Sequence, residues 1–439
     1  MKYIEVRLIF TAAIIKRGLL FLALLPALRS TAQLPDHFFR ENIKSVKFFR
    51  TGEPFSYPVI NLGSRDELTL IFDDLDGDVK NYYFTYQLCN ADWSNTILHP
   101  YDYIKGFQNV RINTYRNASI SMTRYTNYQA KIPDRNCTPT RSGNYLLKVF
   151  LDGDTSKLVF TKRFLVVDNR ASVVAQVQQP FNSSIYNTHQ KLFLRITLND
   201  QINVFNQQDI KVVTIQNFNW ASAVSLQRPN IFRGNYFEYN DESVTSFPAG
   251  REWRWIDLRS LRLMSERMLK MDKQQRRTDV YVLPDGERQN KVNLQYRDLN
   301  GLFTIETTDN VNPYWQSDYA YVHFTFIPPG RRPYEGKNMY LFGELTNFAT
   351  DKNSLMEFDT EKGVYEKTLL LKQGFYNYSY VTRNIKDDSP GISYENTEGN
   401  FWGTENTYSV MIYYRPFGGR ADELIGFSQV NSMLSRQGF

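Results

Sequence analysis

Hydrophobic and polar positions alternate in short runs along most of this chain. Between Glu67 and Asp73, the side chains of Leu68, Leu70 and Phe72 share one face, the two-residue period of a half-buried strand. The same pattern predicts strands over 82–88, 110–115, 119–125, 144–150 and 158–167, with Gly143 and Asp152-Gly153-Asp154 supplying turns. The stretch Asp74-Leu-Asp-Gly-Asp78 separates two alternating runs, and an Asp-Gly pair in that position predicts a hairpin. A second block alternates at 192–198, 210–215, 292–296 and 319–326, and a third at 339–342, 364–371, 375–381, 408–414 and 424–430. Gly363, Gly374 and Gly418-Gly419 mark turns in that third block. One segment, 258–271, admits two readings. Leu261, Met264, Met268 and Met271 recur at helical spacing, whereas Trp253 and Trp255 lead into it with strand alternation.

Many short strands at regular spacing, with turn residues between them, predict stacked β-sandwiches and no βαβ unit. The expected division is 33–168, 169–328 and 329–439, with Pro328-Pro-Gly-Arg-Arg-Pro333 as the last linker. Composition agrees: 29 Tyr and 31 Phe suit pleated, half-buried surfaces better than helices.

The first 32 residues have the parts of an export leader. Lys2, Arg7, Lys16 and Arg17 precede an apolar run over 18–28, and Ser30-Thr31-Ala32 places small side chains before a cut after Ala32. The run is far short of the roughly 20 residues that span a bilayer. The first cysteine is Cys89, so none lies near the cut to carry a lipid, and a protein of the envelope with no direct membrane insertion is expected. Residues 1–32 hold five basic side chains and one acid, a net of +4, so the formal charge of +6 falls to +2 without them. That leaves no electrostatic case for nucleic acid.

The remaining chemistry is sparse. Cys89 and Cys137 are the only cysteines, and either a disulfide or two buried thiols fits an oxidising compartment. Four scattered histidines, His37, His99, His189 and His323, have no zinc spacing and no adjacent nucleophile. The run Asp73–Asp78 is the best candidate for calcium. Counted from Asp74, however, the sixth residue is Val79 and the twelfth Thr85, where an EF-hand needs Gly and Glu, so a charged turn is the simpler reading. There is no Gly-x-Ser-x-Gly elbow and no phosphate-binding glycine loop. No catalytic, cofactor-binding or metal residue is assigned, and no enzyme is expected. Six tryptophans (Trp93, Trp220, Trp253, Trp255, Trp315 and Trp402) fit either core positions or stacking surfaces.

Longer segments carry a resemblance. FDDLDGDVKNYY from Phe72, YQLCNADW from Tyr86, DYIKGFQNVRI from Asp102, TRSGNYLLKVFLDGD from Thr140, RFLVVD from Arg163 and QVQQPFN from Gln176 are collinear. Together they resemble the plug proteins of the type IX secretion system of Bacteroidota. The resemblance implies a periplasmic protein, monomeric outside its complex, that associates with the giant outer-membrane β-barrel translocon. There it closes the periplasmic opening while no substrate is engaged. Within the chain, the stretch from Tyr82 to Trp93 resembles a strand of immunoglobulin-like domains, so tandem immunoglobulin-like sandwiches are expected. MYLFGELTNF from Met339, with Gly363-Val-Tyr365 and Gly374-Phe-Tyr-Asn-Tyr378, resembles the glycogen-binding type of sandwich. That likeness makes a glycan-binding protein the alternative, although Phe348 stands where a sugar-stacking tryptophan is usual.

Overall fold

A computed structural model describes residues 36–386 and 391–434, apart from 201 and 203. The expected leader and its cleavage site lie outside the described residues. No helix among the described residues is long and apolar enough to cross a membrane. The fold is β throughout; its only α-helical turn among those residues is Glu242–Thr245.

The first sandwich follows the pattern closely. One sheet holds Leu158–Val167, Gly143–Leu151 and Tyr82–Cys89 as neighbours; the facing sheet holds Ile43–Arg50, Leu68–Asp74 and Thr126–Ile132. Leu68, Leu70 and Phe72 point into the core between them, against Tyr82, Phe84 and Phe164 of the other sheet. Burying such aromatic side chains contributes roughly 1.5–3 kcal/mol each relative to leaving them in water.

The Asp74–Asp78 turn is not a hairpin. Its two strands belong to opposite sheets, so the chain crosses the core there. An Asp-Gly pair specifies that the backbone turns, whereas the sheet joined next depends on distant partners. Here Phe72 and Tyr82 meet edge to face across the sandwich at 5.1 Å. The Tyr82 hydroxyl donates to the buried Asp74 carboxylate at 2.8 Å and pins the corner. Two further expected strands are loops. Residues 119–124 form a hairpin loop closed by Ala118 N–H to Tyr125 C=O, and its backbone bonds go to Trp315 C=O and the Asp318 carboxylate instead of a neighbouring strand. Residues 292–296 run as an exposed loop, with Val292 87% exposed. The helical reading of 258–271 also fails: Leu258, Leu261 and Met268 enter a β core, and Met268–Gln274 is a strand.

Strand pairing crosses the expected boundary at 328/329. Tyr319–Ile327 pairs with Val364–Lys372 in full register, and Gly374–Asn384 pairs with Arg254–Asp257, Phe303–Ile305 and Lys337–Phe342. The Pro-Gly linker is therefore a connection inside one sandwich that spans roughly 250–400. The last two strands return to the second sandwich: Thr407–Tyr414 pairs with Ile210–Gln216, and Glu423–Asn431 pairs with Thr407–Tyr414. Tyr408, Val410 and Ile412 from that returning segment fill the second core beside Leu192, Leu194 and Val212. Proline and glycine report local stiffness and turns; they carry no information about which sheet a later strand completes.

A fragment of residues 329–439 should therefore not fold alone, because its strands belong to two sandwiches whose other halves it lacks. Its circular dichroism should show a disordered chain, where an independent domain would give a β spectrum and a cooperative melt.

Candidate functional site

Three joints hold the sandwiches together, and each is built from polar side chains buried by the contact. Between the first and third, Asp73 at the end of Leu68–Asp74 meets Lys372 at the end of Val364–Lys372. Both side chains are 0% exposed. Asp73 also accepts from the Tyr319 hydroxyl at 2.6 Å and from Asn127 at 2.7 Å, and the Lys372 ammonium donates to Tyr314 C=O at 2.6 Å. A second cation, Lys47, donates to Glu344 and to Phe303 C=O at 2.9 Å. Burial lowers both ammonium pKa values, against the pull of Asp73 and Glu344, so each lysine depends on its carboxylate to stay charged.

The joint between the first and second sandwiches centres on Asp422, 1% exposed, which accepts from Ala91 N–H, Lys211 and Arg415. Around it Leu165, Val167, Val213, Met411 and Leu424 make an apolar seam. Beside this seam opens a cleft of about 750 Å³ lined by Trp93, Arg163, Lys211, Trp220 and Ser225 among others. The Arg163 guanidinium lies 5.0 Å from both Trp93 and Trp220 and pairs with Asp36 at 2.9 Å. Trp220 donates to the Tyr57 hydroxyl. Arg163 and the two tryptophans thus pack on one another in the cleft wall, with the guanidinium over both indoles and the indoles edge to face at 5.0 Å.

The third joint lies at the two chain crossings between the second and third sandwiches: on the segment leaving the third, Trp402 N–H donates to Asn187 C=O and Trp402 C=O accepts from Gln190, and Asn406 donates to Gln190 and to Ala249 C=O. Close by, Asp298 is pushed up to about 7 by burial, although it accepts from the N–H groups of Trp253 and Asn300 at 2.6 and 2.7 Å. Within the third sandwich, Glu398 is buried between Arg254 and Arg288. Burial would raise its carboxyl; the two guanidinium groups outweigh that and lower it to about 2.

The residues flagged for chemistry land as follows. Asp74, Asp76 and Asp78 do converge, but Lys80 reaches all three carboxylates, so an ammonium already neutralises the cluster where a cation would sit. Cys89 and Cys137 are buried free thiols, and burial pushes both up to about 12, which keeps them protonated and unreactive. Trp253 is buried, and Phe348 packs edge-on against it and against Phe342. The position of the expected sugar-stacking residue is thus taken into a small aromatic cluster. One arrangement had no local signal in the sequence. Thr368 Oγ1 lies 2.9 Å from His323 Nδ1, and His323 Nε2 lies 2.7 Å from Asp279, the order of a hydroxyl–imidazole–carboxylate relay. Strand register alone creates it, since His323 and Thr368 face each other on paired strands. Arg277 holds both Asp279 oxygens at 2.6 Å, and none of the three residues lines the cleft. The three residues form a cross-strand ladder on the sheet.

Residues 43–168, the first sandwich with its crossing acidic corner, match the family model described as the type 9 secretion system plug protein 1st domain. The chain belongs to the type 9 secretion system plug protein family. A crystal structure of a hypothetical protein from Parabacteroides merdae superposes with a TM-score of 0.85 at 30% identity, over 90% of this chain and 98% of that one. At that coverage the similarity extends well beyond the first sandwich. No curated protein matches it. Membership in this family ties the chain to type IX secretion and to the cell envelope, as a structural component of that system.

Two outcomes follow from the buried charges. Asp73→Ala should lower stability by about 3–5 kcal/mol by stranding the Lys372 ammonium in the joint. Asp73→Leu combined with Lys372→Met should recover much of that loss, read from urea unfolding midpoints. For Asp298 the folded value lies above the unfolded carboxyl value, so the native state binds the extra proton. Its stabilising influence is complete below about pH 4 and is lost as pH rises toward about 7. Asp298→Asn should flatten that slope by up to about 1.4 kcal/mol per pH unit. The slope is the readout, because the amide would set one N–H against a backbone N–H and alter stability at every pH.

Proposed function

We propose that this protein is a periplasmic plug that associates with the giant outer-membrane β-barrel translocon of the type IX secretion system. It closes the periplasmic opening while no secretion substrate is engaged. The observation that carries this reading is the cross-bracing of the sandwiches by buried polar contacts: the ion pairs of Asp73 with Lys372 and Lys47 with Glu344 join the first and third, and Ala91 N–H to the buried Asp422 carboxylate joins the first and second. A channel wide enough for folded cargo leaks small molecules unless its mouth is filled. Filling it calls for a body that keeps its shape, and close-packed interiors joined without flexible linkers resist deformation. Membership in the plug family supports the same reading. The leader expected over residues 1–32 supports a place beyond the inner membrane.

Deleting the gene should admit normally excluded antibiotics such as vancomycin while secretion through the translocon continues. Affinity purification of the tagged protein from native membranes should bring the translocon with it. Unchanged antibiotic sensitivity together with no translocon in the eluate would overturn the assignment.

A further inference from the structure

The cleft beside the joint of the first and second sandwiches has two unlike sides. From the first sandwich come Trp93 and Arg163, which are already engaged with each other, with Trp220 and with Asp36. From the second comes a run of consecutive residues, Ser225, Leu226, Gln227 and Arg228. A strand lining a cleft with one face contributes alternate residues only. Four in succession mean that the cleft runs along the chain's edge. That edge is bare. Asn219–Leu226 is the outermost strand of its sheet: Val224, Ser225 and Leu226 pair in regular register with Thr214, Val213 and Val212, and no strand among the described residues pairs with their outer side. Just beyond, the backbone N–H and C=O groups of Gln227 and Arg228 make no hydrogen bond among the described residues. Arg163 and Lys211, the other cations of the cleft, face Asp36 and Asp422, whereas Arg228 has no ion pair among the described residues.

Sheet edges are ordinarily shielded by lysine or proline, by shortness, by a bulge or by a covering segment. Other edges of this fold have such devices. Met268–Gln274 carries Lys270 and Lys273, and Glu357–Asp359 is only 3 residues long. The far edge of the second sandwich is closed on itself: Arg170 N–H donates to Ile425 C=O at 2.8 Å, and a Cβ on Gly426 would lie 3.0 Å from Ala171 C=O. Asn219–Leu226 has no charged residue and no proline. Its one guard is a slip in register between Thr214 and Gln216, which spares Val224–Leu226. A bare edge beside a cleft of about 750 Å³ suits one class of ligand. N–H and C=O groups that recur along a strand every second residue, about 6.6 Å apart, are matched by another polypeptide in extended form. A sugar or a phosphate brings acceptors without that repeat. Ala223 and Ser225, small and exposed, leave space beside the strand for the side chains of such a segment.

We propose that this cleft binds an extended polypeptide segment carrying an acidic residue, which adds as a strand along Val224–Arg228 and sets its carboxylate against Arg228. The site goes beyond the plug reading, which calls for shape alone, and neither depends on the other.

The test is selection from a random octapeptide library against the folded chain, residues 33–439. Enriched peptides should carry Asp or Glu among β-branched residues. They should bind Arg228→Glu at least about tenfold more weakly, since that change removes one charge-assisted hydrogen bond and repels the carboxylate. N-methylating alternate backbone nitrogens of the best peptide should abolish binding for the set that faces the strand and spare it for the other set. Methylation leaves every side chain in place and removes only the ladder. Lys273→Glu, on the edge strand Met268–Gln274, should leave binding unchanged, and melting temperatures establish that both variants fold. No enrichment over the starting library, binding indifferent to Arg228→Glu, or binding indifferent to both methylation patterns would overturn the peptide site. Co-purification of the translocon in that event would leave the plug assignment standing.

Discussion

The arrangement of the whole molecule depends on charges that have nowhere else to go. Asp73 and Lys372 are wholly buried only because the first and third sandwiches meet there. Separate the two and each charge returns to water; shift them by a few ångströms and each is buried without a partner. An ion pair of this kind adds little net stability compared with an apolar substitute, because desolvation offsets most of the attraction. What it supplies here is discrimination. Only one relative placement pairs Asp73 with Lys372, Lys47 with Glu344, and Tyr125 O–H with Ser317 C=O at the same time. Apolar contact alone would tolerate sliding.

Connectivity reinforces that choice. The chain leaves the second sandwich near Ala249, builds the third, and comes back to finish the second with Thr407–Tyr414 and Glu423–Asn431. The third sandwich is thus an insertion held at both ends, so two covalent crossings lie beside the joint made by Asn406, Gln190 and Ala249. The returning strands also carry Asp422 and Tyr413, which reach Ala91 and Asn144 of the first sandwich. Each sandwich is tied to the other two, and a hinge at one joint would be opposed by the remaining pair.

Much of this was legible in the chain, and the boundary between what was and what was not is physical. Local alternation located the strands Leu158–Val167, Tyr319–Ile327 and Val364–Lys372 almost to the residue, because a half-buried strand writes its period into its own sequence. Collinear segments such as Tyr86 to Trp93 were enough to recognise the family. Pairing was not legible. Asp74–Asp78 reads the same whether its strands share a sheet or face each other, and Pro328–Pro333 reads as a linker although Tyr319–Ile327 and Val364–Lys372 pair across it. The joints were invisible for the same reason: 299 positions separate Asp73 from Lys372, and nothing near either residue names the other.

The same distance between partners marks the polar chemistry of the chain. An enzyme concentrates its requirements in a few side chains whose types and spacing can be sought. Here the polar groups with unusual environments, Glu398 between two arginines, Lys372 over Asp73 and Asp422 beneath Ala91, all serve to position sheets. In the array of Thr368, His323 and Asp279, too, the carboxylate is held by Arg277 and the three residues link neighbouring strands. A protein whose requirement is shape spreads that requirement over its buried contacts. Its signature is then long stretches of ordinary core sequence in a fixed order, and the match of 43–168 as a whole, with no short motif inside it to carry the assignment, is what such a protein should give.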